Sequence, residues 1–125
     1  MVVVAGIMER NNEYFVAQRP HDKHLGGYWE FPGGKIDEGE TPEAALKREM
    51  LEELKINVSV GKRIAETTNE YEDRVVTLLF YECSLESGEI VLTEHIDAGW
   101  VNVSQMKDIN LAPADLFLLE DKILH

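Results

Sequence analysis

The sequence predicts an α+β fold in a single domain spanning residues 1–125, and three observations predict it. β-rich runs stand at the start and through the middle of the chain, helix signals appear after Thr41 and after Pro113, and the two kinds of segment do not alternate as βαβ units do. A chain of 125 residues with 44% hydrophobic composition can close one core, and it has no room for a second catalytic domain.

The elements follow in order. Residues 2–8 and 14–18 read as two strands of a hairpin turned by Asn11-Asn12. Residues 21–28 read as a polar loop, and residues 29–31 as a short strand stopped by Pro32-Gly33-Gly34. Thr41 is a good N-cap, Pro42 is preset for the first helical position and Glu43 complements the dipole, so a helix should run to Leu54. Leu46, Met50 and Leu54, with Ala44 and Leu51 close by, give that helix an apolar stripe. Residues 58–67 and 74–85 read as long strands, the second apolar on both faces as a strand buried on both sides should be. Ser87-Gly88 turns the chain into residues 90–92, residues 98–103 give one more strand, and residues 113–124 form a closing helix.

The net charge of −12 argues against an extended nucleic-acid surface, so no stable nucleic-acid complex is expected and an anionic ligand would need a bound cation. Residues 1–8 lack the basic leader of a signal peptide, and no stretch approaches the roughly 20 apolar residues of a membrane helix. The single Cys83 reads as an inert buried thiol, and the absence of a disulfide partner fits a cytoplasmic protein.

The chemistry concentrates on the first helix. Glu49, Glu52 and Glu53 stand at i, i+3 and i+4, which puts three carboxylates on one face. Like charges at that spacing cost an isolated helix about 0.2–0.5 kcal/mol per pair, so a solvated acidic face is the plain alternative. Gly33-Gly34, just upstream, permits positive φ and close backbone approach, which would let a carbonyl oxygen point over the carboxylates. Oxygen-only ligands of this kind suit Mg²⁺, with Mn²⁺ able to substitute. His21, His24, His95 and His125 show no metal-ligand spacing; zinc is not expected, and each reads as a surface or hydrogen-bonded histidine.

Gly34, five residues, Glu40, seven residues and then Arg48-Glu49-Met50-Leu51-Glu52-Glu53-Leu54-Lys55-Ile56 resembles the Nudix box over its full 23 positions. Eight of its nine specified positions agree. The departure is Lys55, where the family usually has the Gly that ends the helix in a left-handed conformation; Lys can adopt it at a cost of about 1 kcal/mol, and a locally altered helix exit is expected.

This resemblance implies an α/β/α sandwich with a central mixed sheet, and hydrolysis of a nucleoside diphosphate linked to another group. It implies metal binding by Glu49, Glu52 and Glu53 with the Gly33 carbonyl, and an orienting role for Arg48. The runs Val16-Ala17-Gln18-Arg19-Pro20, Gly27-Tyr28-Trp29-Glu30-Phe31-Pro32-Gly33-Gly34-Lys35 and Leu111-Ala112-Pro113-Ala114-Asp115 look like the MutT branch, which includes 8-oxo-dGTP diphosphatases and CTP pyrophosphohydrolases. Those enzymes release a nucleoside monophosphate and pyrophosphate.

By the same resemblance Glu94 matches an additional metal-binding or base-like glutamate, so that Glu49, Glu53, Arg48 and Glu94 form the catalytic set. Arg19 and Lys35 would contact phosphates, Arg74 would approach the base or sugar, and Phe31 and Tyr71 would line the base. Asp115 matches the position that reads the base. Ionised, it only accepts hydrogen bonds and favours the two donors of a guanine edge; protonated, it suits cytosine; a plain helix cap is the structural alternative. The leading expectation is an 8-oxo-dGTP diphosphatase of nucleotide-pool sanitation and DNA repair, acting as monomer or homodimer. The alternatives are a CTP or modified (d)CTP pyrophosphohydrolase and a non-catalytic nucleotide-binding module.

Overall fold

A computed structural model describes residues 1–124. Its first strand, β1 (Val2–Ile7), is followed by β2 (Glu9–Arg10), β3 (Glu13–Gln18), β4 (Trp29–Glu30) and β5 (Gly33–Lys35). The helix α1 (Pro42–Leu54) leads to the long strands β6 (Asn57–Glu70) and β7 (Val75–Ser87), then β8 (Asp97–Val101), α2 (Val103–Met106), a 3₁₀ turn at Pro113–Asp115 and α3 (Phe117–Glu120).

β1 runs parallel to β7, from Val2↔Thr77 to Ile7↔Glu82, and antiparallel to β5 on its other edge. With β6 the result is a mixed sheet of order β5-β1-β7-β6. A second, antiparallel sheet pairs β3 with β2, β4 and β8.

The expected hairpin between residues 2–8 and 14–18 therefore needs correcting. Asn11 and Asn12 do turn a hairpin, both left-handed at φ 53° and 64°, but it joins only Glu9–Arg10 to Glu13 and Tyr14. Both edges of β1 are already taken by β5 and β7, so the chain crosses from one sheet to the other at Met8.

Side-chain alternation along β7 explains the layering. Leu79, Tyr81 and Cys83 pack with Ala45, Leu46, Met50 and Leu54 of α1, whereas Leu78 and Phe80 pack with Met106, Leu111 and Leu118. The mixed sheet thus lies between α1 and the short C-terminal helices, as the sandwich expectation requires. The stripe of α1 is Ala45, Leu46, Met50 and Leu54; Ala44 and Leu51 face solvent, Leu51 being 48% exposed.

Three further expectations change. Residues 90–92 form no strand: the Val91 and Thr93 amides donate to the Leu54 and Glu53 carbonyls at 2.9 and 3.1 Å, and Thr93 Oγ1 donates to the Glu52 and Glu53 carbonyls at 3.0 Å. This segment satisfies the orphan carbonyls at the end of α1. The strand expected at 98–103 stops at Val101, because Asn102 caps α2 in a capping box with Gln105. The closing helix breaks into the 3₁₀ turn and the single turn of α3, which ends where Lys122 turns left-handed at φ 55°.

Lys55 takes the left-handed conformation of the missing Gly, φ 60° and ψ 30°, and its amide donates to Leu51 O at 3.1 Å. The expected alteration of the helix exit does not occur; Ile56 next to it is fully buried and anchors the turn. Among the described residues no helix is long and apolar enough to cross a membrane.

Candidate active site

α1 begins where Thr41 Oγ1 accepts from the Ala44 amide at 3.1 Å, which fixes the rotation of the helix and hence of its acidic face. β5 lies against the same helix. Gly33 and Gly34 are strand residues paired with Ala5 and Val4; neither takes the positive φ expected as an option, whereas the expected close backbone approach is present. A Cβ on Gly33 would collide with the Val4 carbonyl, and one on Gly34 with the carboxyl group of Glu49.

Arg48 ties the box together. Its Nε donates to Glu40 Oε2 at 2.8 Å, Nη1 to Glu49 Oε1 at 3.0 Å and Glu52 Oε2 at 3.2 Å, and Nη2 to Glu40 Oε1 and to the Lys35 carbonyl, both at 3.0 Å. One guanidinium thus bonds three glutamates of the box, Glu40, Glu49 and Glu52. These bonds hold Glu40 below the usual carboxylate range and raise the Arg48 guanidinium.

Burial divides the acids. The Glu52 side chain is 58% exposed, whereas that of Glu49 is 14% exposed and packs over Gly34. Burial raises Glu49, against the pull of Arg48. Glu53 is pushed up to about 9, first by burial and then by the charges of Glu49, Glu30 and Glu94.

Among the described residues no three His, Cys, Asp or Glu side chains are already arranged to hold a metal ion, and Glu52 is bonded to Arg48. The donor set nevertheless fits a hard divalent cation. Partly desolvated carboxylates repel one another around Glu53, and a cation among oxygen ligands relieves that repulsion.

A cleft opens from this point, lined by Arg19, Glu30, Gly33, Glu53, Glu94 and Asp115 among others. Asp115 is 4% exposed, and its Oδ2 accepts from the Phe31 amide at 3.3 Å. Burial pushes its carboxyl up to about 8, with the Phe31 bond opposing and the charge of Glu30 adding. Asp115 is not a helix cap: α3 has no side-chain cap, and Asp115 spends its oxygen on β4's exit instead.

The remaining sequence candidates divide. Phe31 lines the cleft while its ring sits edge-on to Phe80, 6.5 Å between centroids, so it serves the core as well. Arg19 also lines the cleft, but its guanidinium is engaged: Nη1 meets Glu30 Oε1 at 3.1 Å and Nε donates to the His24 carbonyl at 2.8 Å. Lys35 is exposed at the end of β5. Tyr71 and Arg74 sit together on the β6–β7 connection, the guanidinium 5.9 Å from the ring, and the structure does not bring them to the cleft.

Two residues escaped the sequence reading as site components. Glu30, the last residue of β4, shares a hydrogen bond of 2.9 Å with His95 Nε2. His95 is 8% exposed, and its Nδ1 has no partner among the described residues. His95 is thus a hydrogen-bonded histidine, and His21 and His24 are at the surface; His125 lies outside the described residues. No local signal marks Glu30, because its partners Arg19 and His95 lie 11 and 65 residues away in sequence. Cys83 is buried, and burial pushes its thiol up to about 12, in keeping with an inert role.

A family model described as "NUDIX domain" matches residues 3–121. An 8-oxo-dGTP diphosphatase of Proteus vulgaris is 44% identical over 80 residues, 63% of this chain and 71% of that protein. A CTP pyrophosphohydrolase of Escherichia coli is 37% identical over 118 residues, 94% of this chain and 87% of that protein. Among solved structures, the MutT protein of methicillin-resistant Staphylococcus aureus 252, described as a Nudix hydrolase, superposes with a TM-score of 0.77 at 37% identity, covering 99% of this chain and 96% of that one.

Proposed function

From the premise that the chain belongs to the Nudix family, we propose that it is a nucleoside triphosphate pyrophosphohydrolase, converting a triphosphate and water into a nucleoside monophosphate and pyrophosphate, with 8-oxo-dGTP as its leading substrate. The observation that carries the reading is the placement of Asp115 in the same cleft as Glu53 and Gly33, so that one nucleotide can meet a base-reading acid and the acidic helix together.

Glu49, Glu52 and Glu53, with the Gly33 carbonyl and Glu94, are the groups that would hold Mg²⁺, and Mn²⁺ in its place. A divalent cation there supplies neutralisation of polyphosphate charge and a lowered pKa for the attacking water. Arg48 fixes the Glu49 and Glu52 rotamers through Nη1, and its bonds to Glu40 and the Lys35 carbonyl lock the helix to β5. Glu49 or Glu94 accepts the proton of the attacking water. Lys35, whose side chain is exposed at the end of β5, approaches the phosphates, whereas Arg19 reaches them only while it holds Glu30.

Burial changes what Asp115 reads. Held as the neutral acid up to about pH 8, it offers a donor beside an acceptor rather than two acceptors. That pattern matches O6 and N1–H of an 8-oxoguanine, and it matches N3 and the 4-amino group of cytosine equally well. A CTP-type pyrophosphohydrolase is therefore the second reading, favoured by this protonation state and by the Escherichia coli relative. A cytoplasmic location and a monomeric or homodimeric state belong to the same proposal.

Pyrophosphate release with Mg²⁺ across 8-oxo-dGTP, dGTP, CTP, 5-methyl-dCTP and ADP-ribose distinguishes the readings. At least a tenfold higher kcat/KM for 8-oxo-dGTP than for dGTP and CTP is expected. CTP or 5-methyl-dCTP at the top selects the second reading, ADP-ribose at the top removes both, and binding without turnover identifies a non-catalytic module.

A further inference from the structure

Glu30 is the acid of the cleft to which the reaction above gives no task. Two partners fix its side chain: Arg19 Nη1 lies 3.1 Å from Oε1 and His95 Nε2 lies 2.9 Å from Oε2. The His95 side chain is only 3% exposed, so the imidazole is a buried strut rather than a surface neighbour. With Glu30 as acceptor, Nε2 carries the proton and donates it, and Arg19 donates from the other side. A carboxylate has about four acceptor sites, so these two partners leave some of them for a ligand in the cleft that Glu30 lines.

Glu30 lines that cleft together with Asp115, Glu53 and Gly33. It precedes Phe31, whose amide holds Asp115, and it stands three residues before Gly33 on the same short stretch of backbone. Its negative charge adds to burial in raising the carboxyls of both Glu53 and Asp115. In a nucleoside triphosphate seated with its base at Asp115 and its phosphates over α1, the interval between them is occupied by the sugar. A carboxylate repels phosphate oxygens and accepts only from donors, and the donors in that part of a nucleotide are the sugar hydroxyls.

We infer that Glu30, positioned by Arg19 and His95, accepts a hydrogen bond from a sugar hydroxyl of the bound nucleotide and makes turnover depend on that hydroxyl. The inference rests on the triphosphate reading given above. Arg19 and His95 are positioning residues in this arrangement, and their distances show why Arg19 is not a freely available phosphate ligand.

The test uses the full chain and four nucleotides sharing one base: the ribonucleotide and its 2′-deoxy, 3′-deoxy and 2′,3′-dideoxy forms. Wild type is expected to lose about 10- to 100-fold in kcat/KM on removal of the recognised hydroxyl, the worth of one hydrogen bond to a charged group. The 2′- and 3′-deoxy arms identify which hydroxyl it is. Glu30→Ala collapses that ratio towards one while leaving base preference intact; His95→Ala reduces it, and His95→Gln, whose amide can still donate, restores it. Circular dichroism accompanies each variant, and the wild-type ratios need no variant at all. Equal turnover of all four nucleotides by wild type overturns the inference, as does a Glu30→Ala variant that slows every nucleotide by one common factor. Absence of turnover on any nucleoside triphosphate overturns the underlying reading as well, whereas turnover without hydroxyl dependence overturns this inference alone.

Discussion

Asp115→Asn is expected to change the pH dependence of stability more than its midpoint. The carboxyl ordinarily titrates near 3.8, and burial in the folded protein pushes it up to about 8. Between those values the folded protein keeps a proton that the unfolded chain releases, so wild type loses stability as pH rises through the window, by about 1.36 kcal/mol per unit at most. At pH 7 the accumulated loss has a ceiling of roughly 4 kcal/mol. Asn keeps an oxygen for the Phe31 amide but must place two amide donors, which costs about 1–3 kcal/mol where one is left unpaired. The variant is therefore expected to be the less stable protein near pH 4.5 and the more stable one, by roughly 1–3 kcal/mol, at pH 7. Urea unfolding of the metal-free protein with chelator at pH 4.5, 6, 7 and 8 reads this as the difference in stability between the two proteins at each pH. Curves that run parallel across the range would refute the argument that Asp115 folds as a neutral acid.

Glu53→Gln should lower turnover by at least 100-fold and abolish Mn²⁺ binding measured by calorimetry, with the circular dichroism spectrum unchanged; near-wild-type rates would remove the acidic helix from the mechanism. Because Glu53 is pushed up to about 9 and a cation needs it deprotonated, Mn²⁺ affinity of wild type should rise up to tenfold per unit between pH 6 and 8, and a flat profile would contradict the shift. Gly34→Ala should displace the Glu49 carboxyl and cost metal binding with the fold retained, whereas Gly33→Ala drives a methyl into the Val4 carbonyl and should cost stability itself, read as a fall in Tm. Lys55→Gly relieves about 1 kcal/mol of left-handed strain but frees the unfolded chain by about 0.4–1 kcal/mol, so denaturation should detect a net change below about 1 kcal/mol with turnover unaltered.

Periodic and local signals were the legible part of the chain. Thr41-Pro42 set the start of α1 and Leu54 its end, both where the structure has them, because capping and proline geometry act within a few residues. The long strands β6 and β7 were legible from their apolar runs, though their ends extend two to three residues further. Pairing was not legible in the same way. Asn11-Asn12 announces a hairpin, yet which strand continues it depends on β1 having both edges occupied by segments far along the chain. The closing helix is broken because Asp115 bonds the Phe31 amide, 84 residues away in sequence, and the left-handed Lys122 lets Leu124 reach the core separately from Leu118.

The sequence by itself determined the chemistry available: a helix of alternating acids and apolar residues, with Arg48 and two glycines at fixed offsets, all within reach of local geometry. Only the tertiary structure decided how those acids differ. Glu52 is left in solvent, Glu53 is desolvated among the charges of Glu30 and Glu94, and Asp115 is buried deeply enough to keep its proton. Ionisation depends on dielectric and on neighbouring charge, and both are properties of what the folded chain brings together from β4, α1 and the segments before β8 and α3.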